Sequence, residues 1–238
     1  LLRAQGRFAE ADELPSEVLA ICRRAGDRVE IARTLTQMAY GRRQEGEVEP
    51  ALELPGRALA ELGEGGSERL RLCIHHNRVD CLVEAGRLDQ ADALLAGIRP
   101  AYAEVGPAGA GDLLAWLEGR LAAARGQAEP AERLLQAART NFVARGAGFD
   151  AALVSLDLAA LYLRLGRSDQ VRALASEMIA IFSSRDVHRE ALAALAIFQQ
   201  AALLERLSLA EVERLGRFLR RARRAPTLRF GQAEPSEA

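Results

Sequence analysis

The sequence predicts an all-α chain, a solenoid of five antiparallel helix hairpins that repeat every 40 residues. Three observations predict it. Strings of one pattern recur, reading Gly6-Arg7-Phe8-Ala9-Glu10-Ala11, Gly46-Glu47-Val48-Glu49-Pro50-Ala51, Gly86-Arg87-Leu88-Asp89-Gln90-Ala91, Gly126-Gln127-Ala128-Glu129-Pro130-Ala131 and Gly166-Arg167-Ser168-Asp169-Gln170-Val171. Each glycine lies 40 residues after the last and is followed eight residues on by Leu14, Leu54, Leu94, Leu134 or Leu174, with no insertion or deletion. Ala and Leu dominate the apolar half, β-branched residues are sparse and aromatics make up 5%. That mixture favours helix, because β-branched side chains lose χ1 freedom there.

Each part of the string has a physical role. Glycine suits the left-handed residue that ends one helix. The acidic residue two to four places later falls in the first turn of the next helix and complements its dipole. Pro50 and Pro130 also fall in that first turn, where a missing N–H costs nothing. Ala11, Ala51, Ala91 and Ala131 are small enough to let two helices approach closely, and the leucines lie three residues further along the same face. Pro15 and Pro55 sit deeper, where a kink is expected.

The second helices of the units are expected at 8–24, 48–62, 88–105, 128–145 and 168–184. The first helices are expected at 29–45, 68–85, 111–125, 149–165 and 188–205. Gly63-Glu64-Gly65-Gly66, Gly106-Pro107-Ala108-Gly109 and Gly146-Ala147-Gly148 join the units as turns. The array thus occupies residues 1–205. Leu207, Leu209, Val212, Leu215, Phe218, Leu219 and Ala222 then mark a capping helix over 206–225, and 226–238 reads as a flexible tail.

Formal charge is −1, so no large field steers the molecule onto nucleic acid or an anionic membrane. All 32 basic residues are Arg, which reads as codon bias. Cys22, Cys73 and Cys81 are odd in number and lack a CxxC spacing, which argues for buried thiols in a reducing cytoplasm. No run of 18 apolar residues offers a membrane span, and no signal peptide opens the chain. The chain starts at Leu1 in what reads as the last turn of a helix, so a longer parent protein is expected.

The pattern resembles the tetratricopeptide repeat. Gly6-Arg7-Phe8 matches that family's turn, Met38-Ala39, Leu117-Glu118-Gly119 and Asp157-Leu158-Ala159 occupy its first-helix slot, and Tyr162 matches its aromatic near the helix end. The unit here is about six residues longer than the family's. The family's boundary proline is absent, and Arg78 stands where an apolar residue is usual. The longer unit looks like the arrays of bacterial regulators. The resemblance implies a right-handed superhelix whose first helices line a concave groove that holds a partner peptide or helix.

Carried onto this chain, the groove positions are Arg33, Thr36, Tyr40 and Arg43, then Cys73, His76 and Asp80, then Leu113, Trp116 and Arg120, then Leu153, Leu156 and Arg164. Of these, Arg33, Tyr40, Arg43, His76, Asp80, Trp116, Arg120 and Arg164 are the candidate partner-binding residues, being mostly the aromatic and Arg types common at hot spots. The competing reading makes Tyr40 and Trp116 core filler between helices. Cys73, His76 and Asp80 share a helix face and offer three metal-ligand types, but such spacing is routine and surface polar residues are the better reading. No metal or cofactor is therefore assigned.

His75, His76 and His188 build no nucleophile–base set, and no phosphate-cradling glycine loop occurs, so enzyme activity is not expected. Arg214, Arg217, Arg220, Arg221, Arg223 and Arg224 form a basic patch that reads as a solvated cap before it reads as a phosphate-binding surface. The expected function is a cytoplasmic scaffold for another protein or peptide. The alternative is the effector- or peptide-sensing module of a bacterial transcription or signalling regulator.

Overall fold

The computed structural model describes residues 8–183, 189–203, 207–222 and 230. Eleven helices occur among them: α1 (Phe8–Ala25), α2 (Arg28–Gln44), α3 (Val48–Leu62), α4 (Glu68–Glu84), α5 (Leu88–Glu104), α6 (Ala110–Ala124), α7 (Ala128–Ala144), α8 (Gly148–Arg164), α9 (Ser168–Ser183), α10 (Arg189–Leu203) and α11 (Leu209–Ala222). No strand occurs among the described residues. The expected second helices start where the sequence placed them, and the first helices start within one residue of it.

One turn design recurs. Gly46, Gly86, Gly126 and Gly166 have φ of 84°, 70°, 74° and 67°, left-handed values that other residues rarely adopt. The residue after each glycine donates its N–H to the carbonyl five residues back: Glu47 to Arg42, Arg87 to Leu82, Gln127 to Ala122 and Arg167 to Tyr162, at 2.9–3.0 Å. This Schellman closure satisfies carbonyls that the helix end would otherwise strand. A Cβ at Gly86 would meet nothing within 4 Å, so only backbone strain opposes it. Gly86→Ala is therefore expected to cost about 1 kcal/mol, read as a lowered urea midpoint at unchanged slope.

Helix starts and other ends are secured by side chains. The Asp27 and Ser67 side chains accept from the N–H groups of Glu30 (3.0 Å) and Leu70 (3.4 Å) at the starts of α2 and α4. Arg28 donates to the Ala60 carbonyl (2.9 Å) and Arg71 to the Gly63 carbonyl (2.6 Å), placing two cations at the negative end of α3. α3 runs unbroken through Pro55, which is buried, and α1 runs unbroken through Pro15.

The chain forms two compact units, residues 8–127 and a second from 128 onward. In the first, α2 packs with α3, α3 with α4, α4 with α5 and α5 with α6, and α4 also touches α2 and α6. Two apolar clusters result. Leu19, Ile31, Leu35, Ala39, Ala58 and Leu62 form one with Ile74 of α4. Leu72, Val79 and Leu82 of α4 form the other with Leu95, Ile98, Tyr102, Leu117 and Leu121. Helix α4 is thus a shared wall, apolar on two sides.

The buried stripe of the second helices follows the expected one at Leu54 and Leu174, both buried, and differs in detail in α5 and α7. Ala51, Ala91 and Ala131 are fully buried, but Leu94 and Leu134 are only half-buried. Leu95 and Leu135, one residue on, are the buried ones, because i and i+4 lie more nearly above one another than i and i+3 in this packing. In the second unit, α8 packs against α7, α9 and α11 and buries ten residues along its length. The expected capping helix is α11, which lies against α8 and α10. A capping box starts it: the Ser208 N–H and hydroxyl donate to Glu211 at 2.7 and 2.8 Å, and the Glu211 N–H donates to the Ser208 hydroxyl at 3.3 Å. Phe230 packs edge-on against Phe218 with centroids 5.0 Å apart, and Arg214 lies over its ring. The rest of the expected tail, together with Arg223, Arg224 and His188, lies outside the described residues.

Candidate functional site

Helices α2, α4 and α6 bring five of the eight candidate residues into one cluster. Tyr40, Asp80 and Arg120 are 40 residues apart, at matching places on the three helices, and Arg43, His76 and Glu84 lie one turn from them. One turn is the spacing that keeps side chains on one helix face.

Arg43 is the centre. Its side chain is only 4% exposed, and its guanidinium donates Nη1 to Glu84 Oε1 at 2.7 Å and sets Nη2 3.3 Å from Asp80 Oδ2. The guanidinium carbon stands 5.5 Å from the centroid of the Tyr40 ring. Arg120 comes from the other side, pairing with Asp80 Oδ1 and, at 3.0 Å, with Glu84 Oε1. Two guanidinium groups and two carboxylates therefore cancel. Burial opposes the Arg43 charge, but Asp80 and Glu84 outweigh it and hold its pKa above the usual arginine value. The buried Nε of Arg43 lacks a hydrogen-bond acceptor.

His76 forms the margin of the cluster. Its Nδ1 is 2.7 Å from the Tyr102 hydroxyl of α5, and its Nε2 is 4.0 Å from Asp80 Oδ2. Burial lowers its pKa below the ordinary imidazole value, Asp80 pulls the other way, and Arg43 and Arg120 add to the lowering. Burial also pushes the Tyr102 phenol up, and raises the Cys81 thiol to about 12, so both keep their protons at neutral pH.

The other three candidates are placed differently. Trp116 is half-buried one turn before Arg120 on α6. Arg33 is 57% exposed and sits 3.3 Å from Glu30 of its own helix. Arg164 is exposed at the end of α8, in the second unit, where the matching positions Leu153 and Leu156 are buried at 4% and 3%. That unit has polar networks of its own. Glu132 accepts from Tyr162 (2.8 Å) and Arg167 (2.9 Å), and buried Ser155 accepts from Arg139 (2.8 Å).

Cys73, His76 and Asp80 do not assemble as metal ligands: Asp80 faces the arginines and His76 faces Tyr102. No group of three or more His, Cys, Asp or Glu suited to a metal occurs among the described residues. Sequence reasoning missed two members of the cluster. Glu84 was findable as the i+4 neighbour of Asp80. Tyr102 was not, because it lies on a second helix and reaches His76 only through the packing of α4 on α5.

No helix among the described residues is long and apolar enough to cross a membrane. No protein-family model matches the chain, and no curated protein matches it. Among solved structures, the chain is similar to the crystal structure of BtubC (BKLC) from P. vanneervenii, with a TM-score of 0.58 and 19% sequence identity. The likeness covers 99% of this chain and 96% of that one. At that identity it is a likeness of fold: the chain is all-helical, built of adjacent packed helices, as its own sequence pattern predicts.

Proposed function

We propose that the chain is a solenoid of two-helix repeats of the tetratricopeptide kind and a scaffold for protein–protein interaction. In this reading a peptide or helix of a partner lies along α2, α4 and α6. The observation that carries it is the meeting of Asp80 and Arg120, 40 residues apart, between half-buried Tyr40 and half-buried Trp116. Helix starts at Phe8, Val48, Leu88, Ala128 and Ser168 and the recurring glycine closure support the repeat.

The charges modify how such a surface works. Arg43, Asp80, Glu84 and Arg120 are already paired with one another, so a partner gains little by offering them a countercharge. They hold the surface in shape. Tyr40 and Trp116 are the contact residues, large and stiff enough to anchor a partner side chain. The cluster is assigned no chemistry, because its ionisable groups are engaged with each other.

The test is affinity capture with the intact chain, followed by replacement of Tyr40, Trp116 and Arg120 by Ala together. The partner captured by the parent chain is expected to be lost, with a helical circular-dichroism spectrum retained. A Tyr40→Ala, Trp116→Ala double variant keeps Arg120 and its ion pairs, and is expected to lose the partner as well. Undiminished capture by both folded variants would move the binding surface to the second helices.

A further inference from the structure

The groups around His76 are arranged so that adding one proton changes several contacts together. Its ring spans two partners, the Tyr102 hydroxyl 2.7 Å from Nδ1 and the Asp80 carboxylate 4.0 Å from Nε2. A neutral imidazole has one N–H. On Nε2 that hydrogen faces a carboxylate, whereas on Nδ1 it would leave a lone pair facing the carboxylate. The first tautomer is therefore favoured, and the Tyr102 O–H donates to Nδ1.

We propose that His76, Tyr102 and Asp80 form an acid-sensitive latch: a proton on the His76 ring reverses the hydrogen bond with Tyr102, competes with both arginines for Asp80 and loosens α4 from α5, α2 and α6. A protonated ring donates from both nitrogens. The Tyr102 hydroxyl must then accept and turn its own hydrogen elsewhere, in a residue only 6% exposed. An unmade hydrogen bond in such a place is costly. At the same time the cluster passes from two positive and two negative charges to three and two.

The groups acting on the ring come from every side. Asp80 is on its own helix, Arg43 on α2, Arg120 on α6 and Tyr102 on α5, and no charge of α3 acts on it. The sign follows. Burial, helped by Arg43 and Arg120 and opposed by Asp80, holds the folded His76 below 6.5. The unfolded chain takes up the proton near 6.5, so it binds more protons than the folded chain between 6.5 and the folded value. Folding stability is full above that window and falls through it as pH drops, by about tenfold in the folding equilibrium per pH unit. His75 on the same helix also titrates low, through burial and then Arg78 and Arg71, with Glu68 opposing, so it is the necessary comparison.

The experiment follows the imidazole protons by NMR, and amide exchange at about pH 7.5 and about pH 5.5 after correction for intrinsic rates. It uses the whole chain, with His76→Gln, His75→Gln and Tyr102→Phe. The parent chain and His75→Gln are expected to lose protection in α4 and α5 at acid pH. His76→Gln is expected to lose none in α5, and Tyr102→Phe to move the His76 titration up towards 6.5 by removing the donor to its neutral form. Equal acid loss in folded His76→Gln would overturn the latch. If that variant does not fold, Tyr102→Phe decides: an unmoved His76 titration overturns it equally. No partner enters the measurement, so the latch stands or falls separately from the groove.

Discussion

Replacing Asp80 with alanine is expected to destabilise the unit spanning residues 8–127 by about 3–5 kcal/mol, out of proportion to one polar side chain. Asp80 is 8% exposed and stands between Arg43 and Arg120. Without it Arg43 and Arg120 each lose a carboxylate, and Arg43, at 4% side-chain exposure, cannot swing out to water. The penalty is that of an uncompensated buried charge. It differs from the worth of the intact cluster, because taking four charges out of water offsets most of their mutual attraction. The cluster's contribution is therefore to specificity: each arginine bridges to a carboxylate on another helix, and a slip of one helical turn would strand all four groups. A urea titration of Asp80→Ala against the parent chain measures the loss, as a shifted midpoint.

Ile74→Ala is expected to cost about 2–5 kcal/mol. Ile74 has no exposed surface and is the buried α4 member of the apolar cluster of α1, α2 and α3. Leu72, Val79 and Leu82 serve the cluster on the other side of the same helix. Packed between two clusters, α4 has little freedom to collapse onto a cavity, which places Ile74→Ala in the upper part of that range. Exposed Arg33→Ala on α2 is the comparison, expected within about 0.5 kcal/mol of the parent chain. Chemical unfolding of both variants checks the contrast.

The helix ends were legible in the sequence because their causes are local. A glycine at positive φ and an acid in the first turn each act within five or six residues, and the observed ends fall where those residues stand. The small buried positions Ala51, Ala91 and Ala131 were legible for the same reason, repeating at one offset from the turn glycine. Leu94 and Leu134 were assigned too deep, because leucine at a helical spacing marks a face but does not say which of two adjacent residues points to its centre.

The side-chain cluster on α2, α4 and α6 was legible in most of its members and not in its pairing. Tyr40, Arg43, His76, Asp80 and Arg120 follow from distance to the turn glycine alone. That Arg43 is buried and committed to Asp80 and Glu84 depends on how closely α2, α4 and α6 approach. No periodicity encodes that distance. Tyr102 is a sharper case, being an apolar-stripe residue of α5 whose hydroxyl happens to end at His76.

The claim on which the account rests is that residues 40 apart become neighbours on successive first helices. A double-mutant cycle between Asp80 and Arg120 measures it directly, using Asp80→Ala, Arg120→Ala and the pair. Contact between them predicts a coupling of about 1–3 kcal/mol, whereas stability losses that add to within about 0.5 kcal/mol would place the two side chains apart and contradict it.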